Sequence, residues 1–465
     1  MKSKNKNFLY NLVYQVLIIA LPLITVPYIS RVLGANNIGI YSYTYSIVYY
    51  FMLVSMLGIN NYGARTIARE SHDKKRLSIV FKEIYGLQLS LTIVMTITYI
   101  IFVMLIPYPN KNIMFVQTVY LVTVALDINW FFFGLEKFKI TVTRNIVIKF
   151  LSFFLIIIFV RDKNDLVLYT LIMSFSALAS QAFLWIFVKR ELVKVKIDLK
   201  NILKHIKPCV ILFIPVIAYG VYRIMDKTMI GALVGNFDLG NYENAEKIIN
   251  IPLSIVSALG TVMLPHMAKD LGNIKSEIKE TFELNFFLVI PIIIGLLLIS
   301  NDLSEILFGK EFSLSGQILK LLAPSILFSS IASVIRTNYL IPNEKDTIYL
   351  VSTVLGAVCN LFLNIIFIPK FGALGACIGT VSAEFIVMIF QVFATRNNLN
   401  YKSVVPIFGM YLTKGAFSVF LPYFFARNID NLYLRTVVII VFSCLIYIFI
   451  HRKYILYDFL GKNKG

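Results

Sequence analysis

The chain has 465 residues, 58% hydrophobic and only 15% charged, with a formal net charge of +19 and a mean hydropathy of +0.77. Soluble domains carry about 45–50% apolar and about 25% charged residues. This composition therefore excludes a soluble globular enzyme, a disordered chain and a secreted disulfide scaffold, and points to a polytopic membrane protein. The four cysteines, Cys209, Cys359, Cys377 and Cys444, sit in apolar stretches without CxxC spacing and read as buried structural thiols.

A spanning helix needs roughly 20 apolar residues, and lipid requires each segment to satisfy its own backbone polar groups. In chain order the apolar windows predict spans over Phe8–Ile29, Ile38–Ile59, Ile84–Ile106, Ile113–Gly134 and a short fifth, Ile146–Val160. Leu166–Val188, Cys209–Leu233, Ile248–Met267, Thr281–Ile299 and Ile318–Ile341 follow, then Thr347–Ile368, Ala373–Ala394, Val404–Phe425 and Leu432–Ile450. The fold class is thus all-α polytopic, with about fourteen transmembrane helices. The first window shows no small-residue cleavage site and reads as a retained helix rather than a signal peptide.

Basic residues set the expected orientation. Lys2, Lys4 and Lys6, the stretch from Arg65 to Lys82, the run Lys189 to Lys207 and the tail with Arg452, Lys453, Lys462 and Lys464 all fall on one face if both termini are cytoplasmic. The positive charge then reads as a topology signal plus adhesion to anionic lipid, not as a nucleic-acid footprint. The two longest loops, Asn60–Glu83 and Lys189–Pro208, read as amphipathic surface helices.

A weak internal repeat runs through the chain. Gly34, Gly39 and Tyr41 recur as Gly235, Gly240 and Tyr242, with the same helix order around each. A parallel repeat suggests two six-helix lobes plus two C-terminal helices, a transporter architecture. The expected organisation is an N-lobe over 1–188, a basic linker over 189–208, a second lobe over 209–394, and two helices with a basic tail over 395–465. Pro22 and Pro27 break the first helix and Pro215 the seventh, matched positions that point to a substrate path.

Catalytic signatures are absent from the sequence. Gly235-x4-Gly240 is followed by Asn241-Tyr242 and makes no phosphate-cradling loop. The histidines, His72, His205, His266 and His451, are far apart in sequence and read as solvated or headgroup-facing, so no metal site is expected. What remains is charge within the spans, which is costly and marks function by default. Arg223, Asp226, Lys227 and Tyr219 share a face of the seventh helix, read either as a cationic stripe for an anionic head group or as an intrahelical salt bridge with snorkelling side chains. Glu384 and Lys414 lie at similar depth, about 16 Å in at 1.5 Å per residue. They read as a structural ion pair, as an ion-coupling site, or as cavity lining. Asp127 lies in the inner third of the fourth helix, and Arg31 at the outer end of the first. Tyr41, Tyr43, Tyr45 and Tyr49 on the second helix read as packing or as a sugar-lining surface.

Pro27-Tyr-Ile-Ser-Arg31-Val-Leu-Gly34-x3-Ile-Gly39-Ile-Tyr41 resembles the opening signature of the polysaccharide-biosynthesis flippases of the Wzx type. Leu57-Gly58-Ile-x2-Tyr62-Gly63-x-Arg65, Asp127-x2-Trp130-Phe-Phe-x-Gly134-x-Glu136, Asp226-Lys227-Thr-Met-Ile-Gly231 and Met263-Leu-Pro265 resemble later motifs of that family, in order. The resemblance implies a member of a multidrug, oligosaccharidyl-lipid and polysaccharide exporter superfamily, with two lobes around a central cavity. It implies translocation of undecaprenyl-pyrophosphate-linked oligosaccharide repeat units from the cytoplasmic to the outer leaflet of the cell membrane, for capsule, O-antigen or exopolysaccharide. No ATP and no cofactor are implied; a proton or sodium gradient is the implied drive. By position Arg31, Arg65 and Asp127 fall on charged motif positions. Implied partners are the lipid-linked oligosaccharide, anionic lipid and the polymerase of the assembly machinery. The competing readings are a multidrug or cation antiporter of the same superfamily, a membrane enzyme and a membrane scaffold.

Overall fold

The apolar windows become long helices in the computed structural model, because a backbone in hydrocarbon satisfies its amides within its own segment. The structure describes the backbone of residues 2–196, 199–267 and 274–452, and their side chains except 2–20, 138, 199–200, 214–215, 218–219, 258–267 and 274–277. No strand occurs among the described residues. Among them eleven helical stretches are long and apolar enough to span a membrane. The chain divides into two compact units, Met1–Gly240 and Asn241–Gly465.

The first unit opens with α1 (Lys2–Met56), which carries both of the first two expected spans and turns at Gly34 (φ 77°, ψ 169°). The short α2 (Ile59–Glu70) turns Ile59, Gly63 and Ile67 inward. α3 (Lys74–Leu105) starts on Asp73, whose carboxylate accepts the N–H groups of Lys75 and Arg76. The fourth span is broken: α4 (Lys111–Leu126) stops, Asp127 is extended, and α5 (Asn129–Gly134) restarts. α6 (Phe138–Phe159), α7 (Leu166–Glu191), the four-residue α8 (Leu199–Ile202) and α9 (Ile206–Leu233) complete the unit.

Three expectations change here. The fifth span is not short, because α6 begins at Phe138 and brings Arg144 and Asn145 inside the helix. The stretch Asn60–Glu83 is not one surface helix, since α3 already rises from Lys74. Residues 192–196 of the basic linker are non-helical. There Val193 N–H donates to Ser78 Oγ (2.9 Å) and Lys82 Nζ to the Val195 carbonyl (2.7 Å), so α3 satisfies backbone groups that a helix would otherwise pair.

The repeated glycines meet. Gly34 and Gly235 both have positive φ, 77° and 132°. A Cβ on Gly39 would lie 1.7 Å from the Asn236 carbonyl oxygen, and one on Gly240 1.8 Å from that of Ala35. Only a residue without a side chain permits these backbone approaches.

The second unit holds most of α10 (Asn236–Met267), then α11 (Ile274–Phe308), α12 (Ser313–Ile335), α13 (Asp346–Phe371), α14 (Ala373–Thr395), α15 (Val405–Ala426) and α16 (Leu432–Ile450). α14 packs on α12 and α13, whereas α15 packs on α11 and α16. Buried polar pairs tie its helices together: Ser315 N–H and Oγ to Asn241, Asn285 to Ser330, and Gln391 to Ser352. A row of outward apolar residues on α16, Val437, Val441, Leu445 and Ile448, is about half exposed, as a lipid-facing stripe would be.

Candidate functional site

The break between α4 and α5 leaves the amides of a new helix start to be satisfied, and Asp127 does this. Its Oδ1 accepts the Asn129 N–H (2.9 Å) and the Asn129 side-chain amide (2.7 Å). From there a polar network spreads to the neighbouring helices. Arg144 on α6 donates to Asn129 Oδ1 (3.2 Å), Asn145 Oδ1 (2.9 Å) and Gln181 Oε1 on α7 (3.1 Å). Gln88 on α3 donates to the Val124 and Asp127 carbonyls and accepts from Trp130 Nε1. Arg144 is only 4% exposed, so a permanent cation lies within the helical bundle of this unit.

Halfway along α6 stands a second cation. Val147, Leu151, Phe154 and Ile158 are each 50–57% exposed and form the lipid-facing stripe of the helix. Lys149 lies about 200° round the axis from Val147 at 3.6 residues per turn, on the opposite side, and is nevertheless exposed. Its ammonium is thus presented on the side of α6 away from that apolar stripe.

Further along this unit the tyrosines form a stack. Tyr41, Tyr45 and Tyr49 follow at one-turn intervals, with ring centroids 6.0 and 6.2 Å apart. Tyr120 closes on Tyr45 at 5.1 Å and shares a hydrogen bond with the Tyr41 hydroxyl (2.8 Å); Tyr169 meets Tyr41 at 5.0 Å. Tyr43 points elsewhere and packs on Tyr108.

Several residues expected from sequence take definite places. Arg31 is exposed just before the Gly34 turn, and Arg65 is exposed on α2. The second half of α1 separates them, about 30 Å at 1.5 Å per residue, so they cannot hold one group together. Asp226 is 6% exposed, Lys227 half-buried and Arg223 exposed on α9. Thr228, beside them, bonds Ser46 and Tyr50 and so packs this part of α9 on α1. The side chains of Tyr219, Pro215, Met263, Pro265 and His266 lie outside the described residues.

In the second unit, Glu384 (on α14) and Lys414 (on α15) are half-buried on helices with different packing partners, and among the described residues they form no ion pair with each other. Lys414 lies beside His451 instead. Burial and that ammonium hold the His451 imidazole down to about 4. The ring stacks on Tyr411 at 5.0 Å and is 3% exposed. His205 is also buried, at 8%. The expectation of solvated histidines therefore fails for both, because aromatic and carboxylate neighbours enclose them; His72 is exposed as expected.

Arg144 and Lys149 are the functional candidates missed by sequence reasoning. The signal was the fifth window itself: Ile146–Val160 is too short to span, and extending it towards the N-terminus brings in Arg144.

Residues 5–270 match the polysaccharide biosynthesis protein family. The chain is 24% identical over 381 residues to the "Putative O-antigen transporter" of Shigella dysenteriae, spanning 81% of this chain and 96% of that protein. It is 23% identical over 406 residues to the protein of the same description from Escherichia coli K12, spanning 85% and 97%. Among solved structures it resembles the lipid II flippase MurJ in an inward closed conformation, with TM-score 0.73 and 15% identity over 97% of this chain and 99% of that one. An inward-facing multidrug resistance MATE family transporter gives TM-score 0.60 and 13% identity over 84% and 95%. At these identities the structural likeness establishes the fold, which MurJ and the MATE transporter share. With more than half of its residues inside the family match, this multi-pass protein of the cell membrane belongs to the polysaccharide biosynthesis protein family.

Proposed function

We propose that the chain is a flippase that moves undecaprenyl-pyrophosphate-linked oligosaccharide repeat units from the cytoplasmic to the outer leaflet, for surface polysaccharide synthesis. The observation that carries this reading is the distribution of cations along the first unit. Arg65 and the Arg144 network lie towards one end, Lys149 midway, and Arg31, Arg223 and Lys227 towards the other. A pyrophosphate in bare hydrocarbon is prohibitively costly, and a row of cations along the path lowers that cost at successive depths. Arg suits phosphate through its planar fork. The partly buried tyrosine stack is aromatic surface of the kind that packs on sugars, while the polyprenyl tail stays in lipid.

The names of the relatives support this reading. It includes alternating access with both termini cytoplasmic, lobes over 1–188 and 209–394, no cofactor, and drive by a proton or sodium gradient. Anionic lipid and the polysaccharide polymerase are the proposed partners.

The test is a strain depleted of this protein. Lipid-linked repeat units should accumulate with their sugars facing the cytoplasm. Wild type should reverse this, and Arg31→Ala and Lys149→Ala should not, at equal amounts in the membrane. Changed resistance to cationic dyes without such accumulation would move the assignment to a multidrug antiporter.

A further inference from the structure

Three titratable side chains from three separate elements are joined in series inside the first unit. The Tyr62 hydroxyl of α2 lies 2.7 Å from His205 Nδ1, and His205 Nε2 lies 3.1 Å from Glu83 Oε2 of α3. His205 directly precedes α9. Glu83 is 7% and His205 8% exposed. The chain therefore binds the amphipathic α2, the third span and the start of the seventh at one point.

The surroundings are specified by the neighbouring elements. Arg65 of α2 and Cys209 of α9 face Tyr62, as does Glu83. Lys82 of α3 is turned away to the Val195 carbonyl. Lys204 and Lys207, either side of His205, are exposed, and Lys204 is bonded to the Asn201 side chain. Glu83 is thus the carboxylate paired with His205.

We propose that Tyr62, His205 and Glu83 form a proton-binding latch whose state sets how firmly α2 is held to α3 and α9. With neutral imidazole, Tyr62 O–H donates to Nδ1 and Nε2–H donates to the Glu83 carboxylate. A proton taken from solvent forms an Nδ1–H bond. Nδ1 then donates to the Tyr62 oxygen, the phenolic hydrogen turns away, and Nε2–H faces Glu83 as an imidazolium–carboxylate pair. No contact is broken in either state, so the site accepts one proton without unfolding. Charge-assisted bonds are roughly twice as strong as neutral ones; the latch is therefore tighter at lower pH and looser as the imidazole deprotonates. Imidazole is the side chain whose charge changes within about pH 5 to 8. In the flippase reading, on which only this consequence rests, flipping becomes sensitive to the pH on the α2 side of the membrane.

The molecule contains its own reporter. It has two tryptophans, and Trp130 packs directly against Gly63 of α2. In full-length protein carrying Trp185→Phe, in lipid nanodiscs, Trp130 emission should show a one-proton transition as pH is varied. His205→Gln should abolish it. Glu83→Gln, which leaves the imidazole in place, should move it to lower pH, because the opposite charge is lost. Tyr62→Phe, which removes the bond between α2 and the imidazole, should weaken it. A flat titration in the parent, a transition unchanged in Tyr62→Phe, or one unchanged in both His205→Gln and Glu83→Gln, overturns the latch. Emission needs no substrate, so a transition that behaves as expected in a protein failing the accumulation test would sink the flippase reading and leave the latch standing.

Discussion

Arg144 holds a charge in a bundle of apolar helices, and its fork is matched by side-chain carbonyls on three elements, Asn129, Asn145 and Gln181. Truncation leaves those acceptors and the neighbouring Asp127 without it. Arg144→Ala should therefore destabilise the protein by about 3 kcal/mol, the scale for breaking a buried charged network, read as a lowered midpoint of thermal unfolding in detergent. Arg144→Lys should recover only part, because a single ammonium cannot meet the planar set of acceptors. The same residue shows where sequence reading stops. Asp127 stood out as an acid in an apolar window, but its role as a helix restart and its link to Arg144 depend on the chain breaking at Leu126 and on α6 starting at Phe138. The burial of His205 and His451 escapes the sequence for a related reason. A histidine near a helix end looks solvated until other elements cover it, and here Glu83, Tyr62, Tyr411 and Tyr447 do so.

At the scale of elements, the spans were legible because about 20 apolar residues are needed to cross hydrocarbon, and the glycine repeat was legible because its spacing is kept. The contact between the two copies was not, since nothing in a linear pattern says which backbone a glycine approaches. Gly39→Ala places a methyl group 1.7 Å from a carbonyl oxygen, so the helices must part. The expected cost is about 1–3 kcal/mol or more, visible as reduced yield of monodisperse protein and a lower unfolding midpoint. Gly409→Ala, where a Cβ meets nothing within 4 Å, should be close to neutral in the same assay.

For the molecule as a whole, two charges at similar depth on consecutive helices suggested a partnership that packing does not make. α14 turns to α12 and α13, and α15 to α11 and α16, so Glu384 and Lys414 have separate neighbours. Their neutralisations, Glu384→Gln and Lys414→Met, should add within about 0.5 kcal/mol in the double variant; a double variant milder than either single one would restore the pair. Composition established the membrane class without any structure, since exposed apolar stripes such as that of α16 need lipid around them. Depth along a helix was legible as well. Direction round the helix axis was not, and it decides whether a charge meets a partner, water or lipid.

The crossing of the glycine motifs has the form of a two-fold contact folded into one chain. Gly39 approaches Asn236, the counterpart of Ala35, and Gly240, the counterpart of Gly39, approaches Ala35. Residue i meeting j while j meets i is the pattern of a symmetric dimer interface. A single copy of the motif carries a surface complementary to itself, so two separate chains with one copy each would make the same contact by pairing. Carried twice on one chain, the pairing becomes permanent and independent of concentration.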